Sequence, residues 1–415
     1  MTTVDNSEPQ HTVTHRTTTH SRPDDENKQE KQQQQQQQES PIRKLQGMKF
    51  APLNTPSHRR LQTAAVLWHT VSIPVFVSLF FVILAVPLFW VFVIPYIIYL
   101  LLNKDPSNGG ATKRYSMWFR SLKVWTYFCN FFPIKLFKSA DLEPTFTEVE
   151  ITDGFYSIPL LTSWFGIKIN RKPYMKSVRT GPKYIFGLHP HGVVSLSGFG
   201  AIGTEGAGWS KIFPGIPTCL MTLLNQFYIP IYREYLLALG VTSAARSNAL
   251  KILKDDYSLA IVVGGAQESL LARPGSNDIV LAKRKGFVKL ALETGNTALV
   301  PCYCFGENNV YNILEPGDNS FGKSLQYWLK KNFGFTIPFF HARGVFNYEF
   351  GLLPYRQEVT VVTGEPIMVP HEPGASKAVV DHYHGLYVEA LKRLFDDYKT
   401  KFIKDGQDAE LNIVE

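Results

Sequence analysis

The sequence predicts an α/β fold, a sheet with flanking helices, preceded by a membrane-embedded helical hairpin. Three observations carry this. Short apolar runs at 184–188, 259–263, 298–305 and 359–363 have the length of buried strands. Helix-compatible stretches lie between them, at 247–256 and in the amphipathic KGFVKLALETG of 285–295, which ends on a glycine suited to a C-cap. An uncharged apolar run, 61–103, precedes them all. Strands alternating with helices indicate a sheet with at least partly parallel order, and no internal repeat is visible.

Residues 1–57 are polar and contain the glutamine run 32–38. Such a segment buries too little apolar surface to offset its ordering entropy, so a disordered tail is expected. It lacks the apolar core of a secretory signal. Residues 58–104 hold the apolar run, about twice the roughly 20 residues one span requires, so two transmembrane or re-entrant helices fit better than one. Pro74, Pro87 and Pro95 interrupt the run, and a turn around Ala85 to Pro87 divides it into near-equal halves. Arg59 and Arg60 precede it and Lys104, Lys113 and Arg114 follow, a pattern that favours both ends in the cytosol. The alternative is a pair of buried helices in a soluble core. Residues 105–147 form an interfacial amphipathic segment: YSMWFRSLKVWTYFCNFFPI, 115–134, suits a helix at headgroup level with Arg120 and Lys123 outward, or else a packed amphipathic helix. Residues 148–415 form the globular domain, facing the cytosol.

The chain of 415 residues is 45% hydrophobic, enough for one large catalytic domain or two modest ones. A net charge of +8 and a pI near 9.1 suit phosphate-bearing ligands or an anionic membrane face. Without zinc-finger spacing or an RNP-like aromatic motif, a nucleic-acid partner is not expected. Cys129, Cys219, Cys302 and Cys304 lie in apolar contexts with no CxxC pair, and read as buried thiols in a reducing compartment.

The candidate chemistry starts at YIFGLHPHGVVSL, 184–196, where an apolar strand runs into two histidines around a proline. In an α/β layer, active residues collect where strands end. Pro190 holds His189 extended, and Gly192 lets the backbone approach whatever His191 faces. A helix beginning after His191 would disfavour a second positive charge and keep the imidazole neutral, a competent general base. Two other readings stay open: histidines that only satisfy hydrogen bonds, and a metal pair, although no third ligand set is evident and His382 and His384 stand in a distant helix-like segment. No metal site is expected. A serine hydrolase lacks support because no GxSxG occurs. A histidine base works best beside a carboxylate, and IVVGGAQESL, 261–270, offers Glu268 after a strand and two glycines. A helix-capping glutamate is the alternative. Lys283, Arg284 and Lys285, together with Arg246 before the helix at 247, could clamp a nucleotide phosphate or stay solvated.

HPHG at 189–192, the glycine pair with Glu268, RKGFVKLA at 284–291, VPCYCFGENNVYN at 300–312 and ARGVFNYEFGLLPYR at 342–356 together resemble the type-2 diacylglycerol acyltransferases, most of all the fungal branch. The resemblance covers nearly everything from Arg59 onward. It implies a glycerolipid-acyltransferase-like sheet in 148–415 and transfer of an acyl group from acyl-coenzyme A to 1,2-diacylglycerol, forming triacylglycerol. It implies the endoplasmic reticulum membrane and the lipid-droplet monolayer as sites of work, with both termini cytosolic. Acyl-coenzyme A acts as cosubstrate and no other cofactor is implied; homo-oligomer formation is left open. Related glycerolipid acyltransferases carry His-x4-Asp, but Leu196 stands five residues after His191, which turns attention to Glu268 as a distant partner. The Tyr-Phe-Pro motif of many members reads Phe131-Phe132-Pro133, so no hydroxyl can be assumed there. The expected mechanism is direct transfer, with His191 as base, Glu268 orienting its ring, and Gly192 and neighbouring N–H groups at the oxyanion. His189 shapes the turn or contacts the donor, and Arg246, Arg284, Lys285 and Lys283 hold the coenzyme's phosphates. The alternatives are another acceptor (monoacylglycerol, a long-chain alcohol or a sterol) or a non-catalytic lipid-binding protein anchored on droplets.

Overall fold

The computed structural model describes residues 49–415 apart from 53, 152–154, 157–168, 171–173, 315–316, 318–319 and 334–337. The expected disordered tail and its glutamine run fall almost wholly outside the described residues.

The apolar run folds as two helices, α1 (Ser57–Leu84) and α2 (Trp90–Leu102), joined through a single 3-10 turn at Pro87–Phe89. The chain reverses where Pro87 was expected to break it, while Pro74 and Pro95 are absorbed inside the helices. Trp90 Nε1 donates to the Leu84 carbonyl at 2.8 Å, tying the end of α1 to the start of α2. The halves are unequal, 28 residues of α-helix against 13. Both segments, the second counted with its flanking turns, are long and apolar enough to cross a membrane. They do not form a buried soluble pair. Val75, Leu79, Phe81 and Val82 of α1 and Val91, Phe92, Leu101 and Leu102 of α2 are exposed, an apolar surface that water would disfavour and lipid would cover. α1 docks on the globular part as far as Phe76, through buried Ala65, Val66 and Ser72 and the Phe76 ring, 5.7 Å from that of Tyr235, with Arg356 donating to Gln62 Oε1 at 2.7 Å and Thr63 Oγ1 at 3.1 Å.

The segment 115–134 departs from the single helix with outward cations. It breaks into a short turn of helix, Met117–Arg120, and α3 (Lys123–Phe131). Lys123 is exposed, but Arg120 is fully buried, its guanidinium donating to the carbonyls of Ile202, Gly203 and Leu239 and lying 4.5 Å from the Tyr115 ring centre. Three carbonyl acceptors and the Glu205 carboxylate, 3.6 Å away, surround a charge that the aromatic context alone would have left at the surface. Phe131 and Phe132 are also fully buried. The Phe131 ring lies 4.0 Å from the Arg356 guanidinium, so the first position of this motif packs under a cation in this chain.

Eight strands form the main sheet: β1 (Lys135–Lys138), β2 (Lys183–His189), β3 (Thr218–Thr222), β4 (Val241–Ser243), β5 (Ser258–Val262), β6 (Thr297–Phe305), β7 (Thr360–Thr363) and β8 (Ile367–Val369). Their order is β1-β7-β6-β2-β5-β3-β4, with β8 also on β6. The five strands β6, β2, β5, β3 and β4 run parallel; β7 and β8 run antiparallel to β6. Every residue of β2 and β6 is buried, which explains why both read as continuous apolar runs rather than alternating ones. Helices α4 (Arg246–Lys254), α5 (Gly286–Thr294) and the long C-terminal α6 (Lys377–Phe402) flank the sheet. In register, Leu188 stands beside both Val262 and Cys302. The carboxyl ends of β2, β5 and β6 therefore lie side by side, and three loops leave from that one edge. All four cysteines are free and buried.

Candidate active site

The three loops bring His191, Glu268 and Glu307 together. His189, the last residue of β2, is fully buried; its Nε2 lies 3.1 Å from the Tyr387 hydroxyl of α6. That hydroxyl donates to the Gly187 carbonyl at 3.1 Å, so it accepts the Nε2–H of His189. Burial lowers the His189 pKa to about 3, and the ring stays neutral. This contact ties the end of β2 to α6. Gly187 makes room for this contact, since a Cβ there would lie 2.0 Å from the Tyr387 hydroxyl.

His191 is half-buried, and burial lowers its pKa as well. The neutral ring has this cause rather than the expected helix end, because the next helix, Leu196–Ala201, begins five residues later. The His191 Nδ1 lies 2.9 Å from the Gly192 carbonyl. A carbonyl only accepts, so Nδ1 carries the proton and Nε2 keeps the lone pair.

Glu268 does reach His191, but at its backbone. One carboxylate oxygen accepts the His191 N–H and the other accepts the Val280 N–H at 2.6 Å. The expected carboxylate–imidazole pair does not form, because both oxygens are taken by main-chain donors that hold the loop. The Gly192 carbonyl fixes the tautomer instead. A Cβ at Gly264 would sit 2.0 Å from the Glu268 carboxylate, which is the physical use of the first glycine of the pair.

Glu307 was not singled out from sequence. It is fully buried and accepts the N–H groups of Leu196 and Ser197, each at 2.8 Å, anchoring the far end of the histidine loop. Gly192, at φ +62°, leaves space for it: a Cβ would lie 2.5 Å from the carboxylate. The available signal was an acidic residue one glycine after a largely apolar strand, inside VPCYCFGENNVYN. Burial pushes both Glu268 and Glu307 up to about 7.

His191 opens on a cavity of about 500 Å³. Its wall includes Val193 and Ser195 of the same loop, Phe199, and His69, Thr70 and Ile73 of α1, so the first apolar helix lines the same cavity as His191. The four basic candidates do not converge there. Lys283 pairs with Glu415, Lys285 with Asp381 at 2.7 Å, and Arg246 with Glu293. Arg284 hydrogen-bonds Gln267 at 3.1 Å and is the one next to the Glu268 loop. Among the described residues, no three metal-ligating side chains converge, and His384 contacts the Leu281 carbonyl at 3.1 Å.

The model of the family described as diacylglycerol acyltransferase matches residues 81–149 and 155–413. The chain is 51% identical over 373 residues to diacylglycerol O-acyltransferase 1 of Eremothecium gossypii, covering 88% of this chain and 80% of that protein. It is 48% identical over 370 residues to diacylglycerol O-acyltransferase 1 of Saccharomyces cerevisiae, 88% of each. It is 35% identical over 362 residues to 2-acylglycerol O-acyltransferase 1 of Bos taurus, 86% of this chain and 96% of that protein. No solved structure matches. With three loops of one sheet edge closing on an imidazole, and a family match over most of its length, the chain belongs to the diacylglycerol acyltransferase family and is an acyltransferase enzyme.

Proposed function

We propose that this enzyme transfers the acyl group of acyl-coenzyme A to the free hydroxyl of 1,2-diacylglycerol, with His191 as general base. The observation that carries the reading is a neutral imidazole with its Nε2 lone pair available, in a cavity that a membrane helix helps to wall. Nε2 takes the hydroxyl proton, the oxygen bonds to the thioester carbonyl carbon, and the C–S bond breaks. The departing thiolate recovers the proton from the imidazolium. The N–H groups of Gly192 and Val193 have no partner among the described residues and suit the developing oxyanion. Glu268 and Glu307 position the loop from either side. Of the four basic candidates Arg284, hydrogen-bonded to Gln267 rather than ion-paired, is the first choice for a coenzyme phosphate. Lys285, Lys283 and Arg246 would have to leave their ion pairs.

The exposed apolar hairpin supports a bilayer setting, and its return to the starting side supports both termini in the cytosol. The endoplasmic reticulum and the droplet monolayer are the proposed locations. Thiol release by purified protein in liposomes, with diacylglycerol, monoacylglycerol, a long-chain alcohol and a sterol as competing acceptors, tests the reading. Diacylglycerol is expected to give the highest kcat/KM; release that is equal without any acceptor would reject acyl transfer to a lipid.

A further inference from the structure

The first membrane helix contributes more than apolar surface to the cavity. His69 lies about 18 Å along α1 from its start, in a stretch where an imidazole is costly. Its ring packs at 4.2 Å on Phe199 and 5.1 Å from Phe128, both on the globular side. Its Nδ1 is buried without a hydrogen-bond partner. The same ring lines the cavity that holds His191, beside the polar side chains of Thr70, Ser195 and Gln226. A buried donor without a partner is rarer than an unsatisfied acceptor, so the neutral ring leaves Nδ1 bare and carries its proton on Nε2. The nitrogen left for a ligand in the cavity is then a donor. A donor in this largely apolar wall fits an ester carbonyl, which only accepts.

We propose that His69 is a specificity-determining contact for the acceptor, its Nε2–H donating to an ester carbonyl of a glycerolipid whose free hydroxyl lies at His191. The contact rests on the acyl-transfer reading above. It would favour an acceptor that already carries an ester over a simple alcohol, which has no such carbonyl.

The test compares full-length wild type, His69→Phe and His69→Gln in liposomes, by thiol release at varied dioleoylglycerol and varied acyl-coenzyme A. Phe keeps the ring packing and removes the donor; Gln keeps a donor and removes the ring. His69→Phe is expected to raise the KM for dioleoylglycerol about tenfold, the worth of one hydrogen bond, with the KM for acyl-coenzyme A within about twofold of wild type. His69→Gln should stay within about threefold. Binding of a fluorescent diacylglycerol to the same proteins should follow the same ranking without turnover. A His69→Phe protein that binds and turns over like wild type overturns the contact, and so does equal impairment of both variants, since ring packing would then account for the loss. A wild type that binds the lipid but never releases thiol would instead reject the acyl-transfer reading, while the binding ranking still decides on His69.

Discussion

At the scale of single residues, the outcome turns on which atom of His191 the carboxylate meets. The sequence offered a histidine without a local acid and a glutamate 77 positions later, and the two do meet. The contact is to the backbone, however, and nothing in residue order distinguishes a ring partner from a loop clamp. Glu268→Gln leaves one acceptor oxygen and points an amide donor at a second N–H, so it is expected to cost about 1–3 kcal/mol of stability. Thermal unfolding in detergent checks this. The acid limb of its pH–rate profile should match wild type, because the carboxylate does not touch the ring; a shifted limb would restore the ring-partner role.

The buried acids also give a pH signature. Glu307 has a folded pKa of about 7 against an ordinary 4.5, so between those values the folded state holds the proton more tightly. Its contribution to stability is full below 4.5 and is lost as pH rises through 7. His189 and His191, with lowered pKa values, act in the opposite direction below 6.5 and mask the trend in wild type. The difference in Tm between wild type and Glu307→Gln should therefore fall from pH 5 to pH 8. A difference that grows over that range would contradict a pKa raised by burial of this acid.

At the scale of elements, the strands at 184–188, 259–263, 298–305 and 359–363 were legible because strands inside a covered sheet, parallel like the first three or antiparallel to β6 like the last, need apolar runs. The edge strands β1 and β4 were not legible: each is only three or four residues long, β1 is mostly exposed with lysines at both ends, and the burial of β4 comes from its neighbours rather than from its own pattern. The helix 115–134 was misread for a related reason: Arg120 looks like a surface cation until the carbonyls of 202, 203 and 239 are brought to it. The turn after β2 depends on close approach. Gly192→Ala puts a Cβ into Glu307 at a positive φ, and a loss of at least about 1 kcal/mol together with most activity is expected. Unfolding and turnover of this variant, measured together, check it; wild-type values for both would show that the loop has slack.

For the whole molecule, the apolar hairpin and the sheet edge that carries His191 line one cavity. Hydropathy and proline spacing made the hairpin legible, including its turn; that α1 would also wall the cavity was not, because pairing across the fold leaves no trace in the local pattern. Deleting 58–104 removes His69, Thr70 and Ile73 from the wall and uncovers Phe128 and Phe199. Such a protein is expected to aggregate and lose at least about 100-fold in turnover, well beyond a simple loss of anchoring. A soluble, fully active 105–415 fragment would show that the membrane helix is only a tether.

The most direct measurement is the turnover of purified, membrane-inserted His191→Ala at saturating acyl-coenzyme A and diacylglycerol. Loss of a general base should reduce it by roughly 10²–10⁴-fold with the unfolding temperature little changed. Turnover close to wild type would mean that the proton leaves by another route and that His191 is not the base.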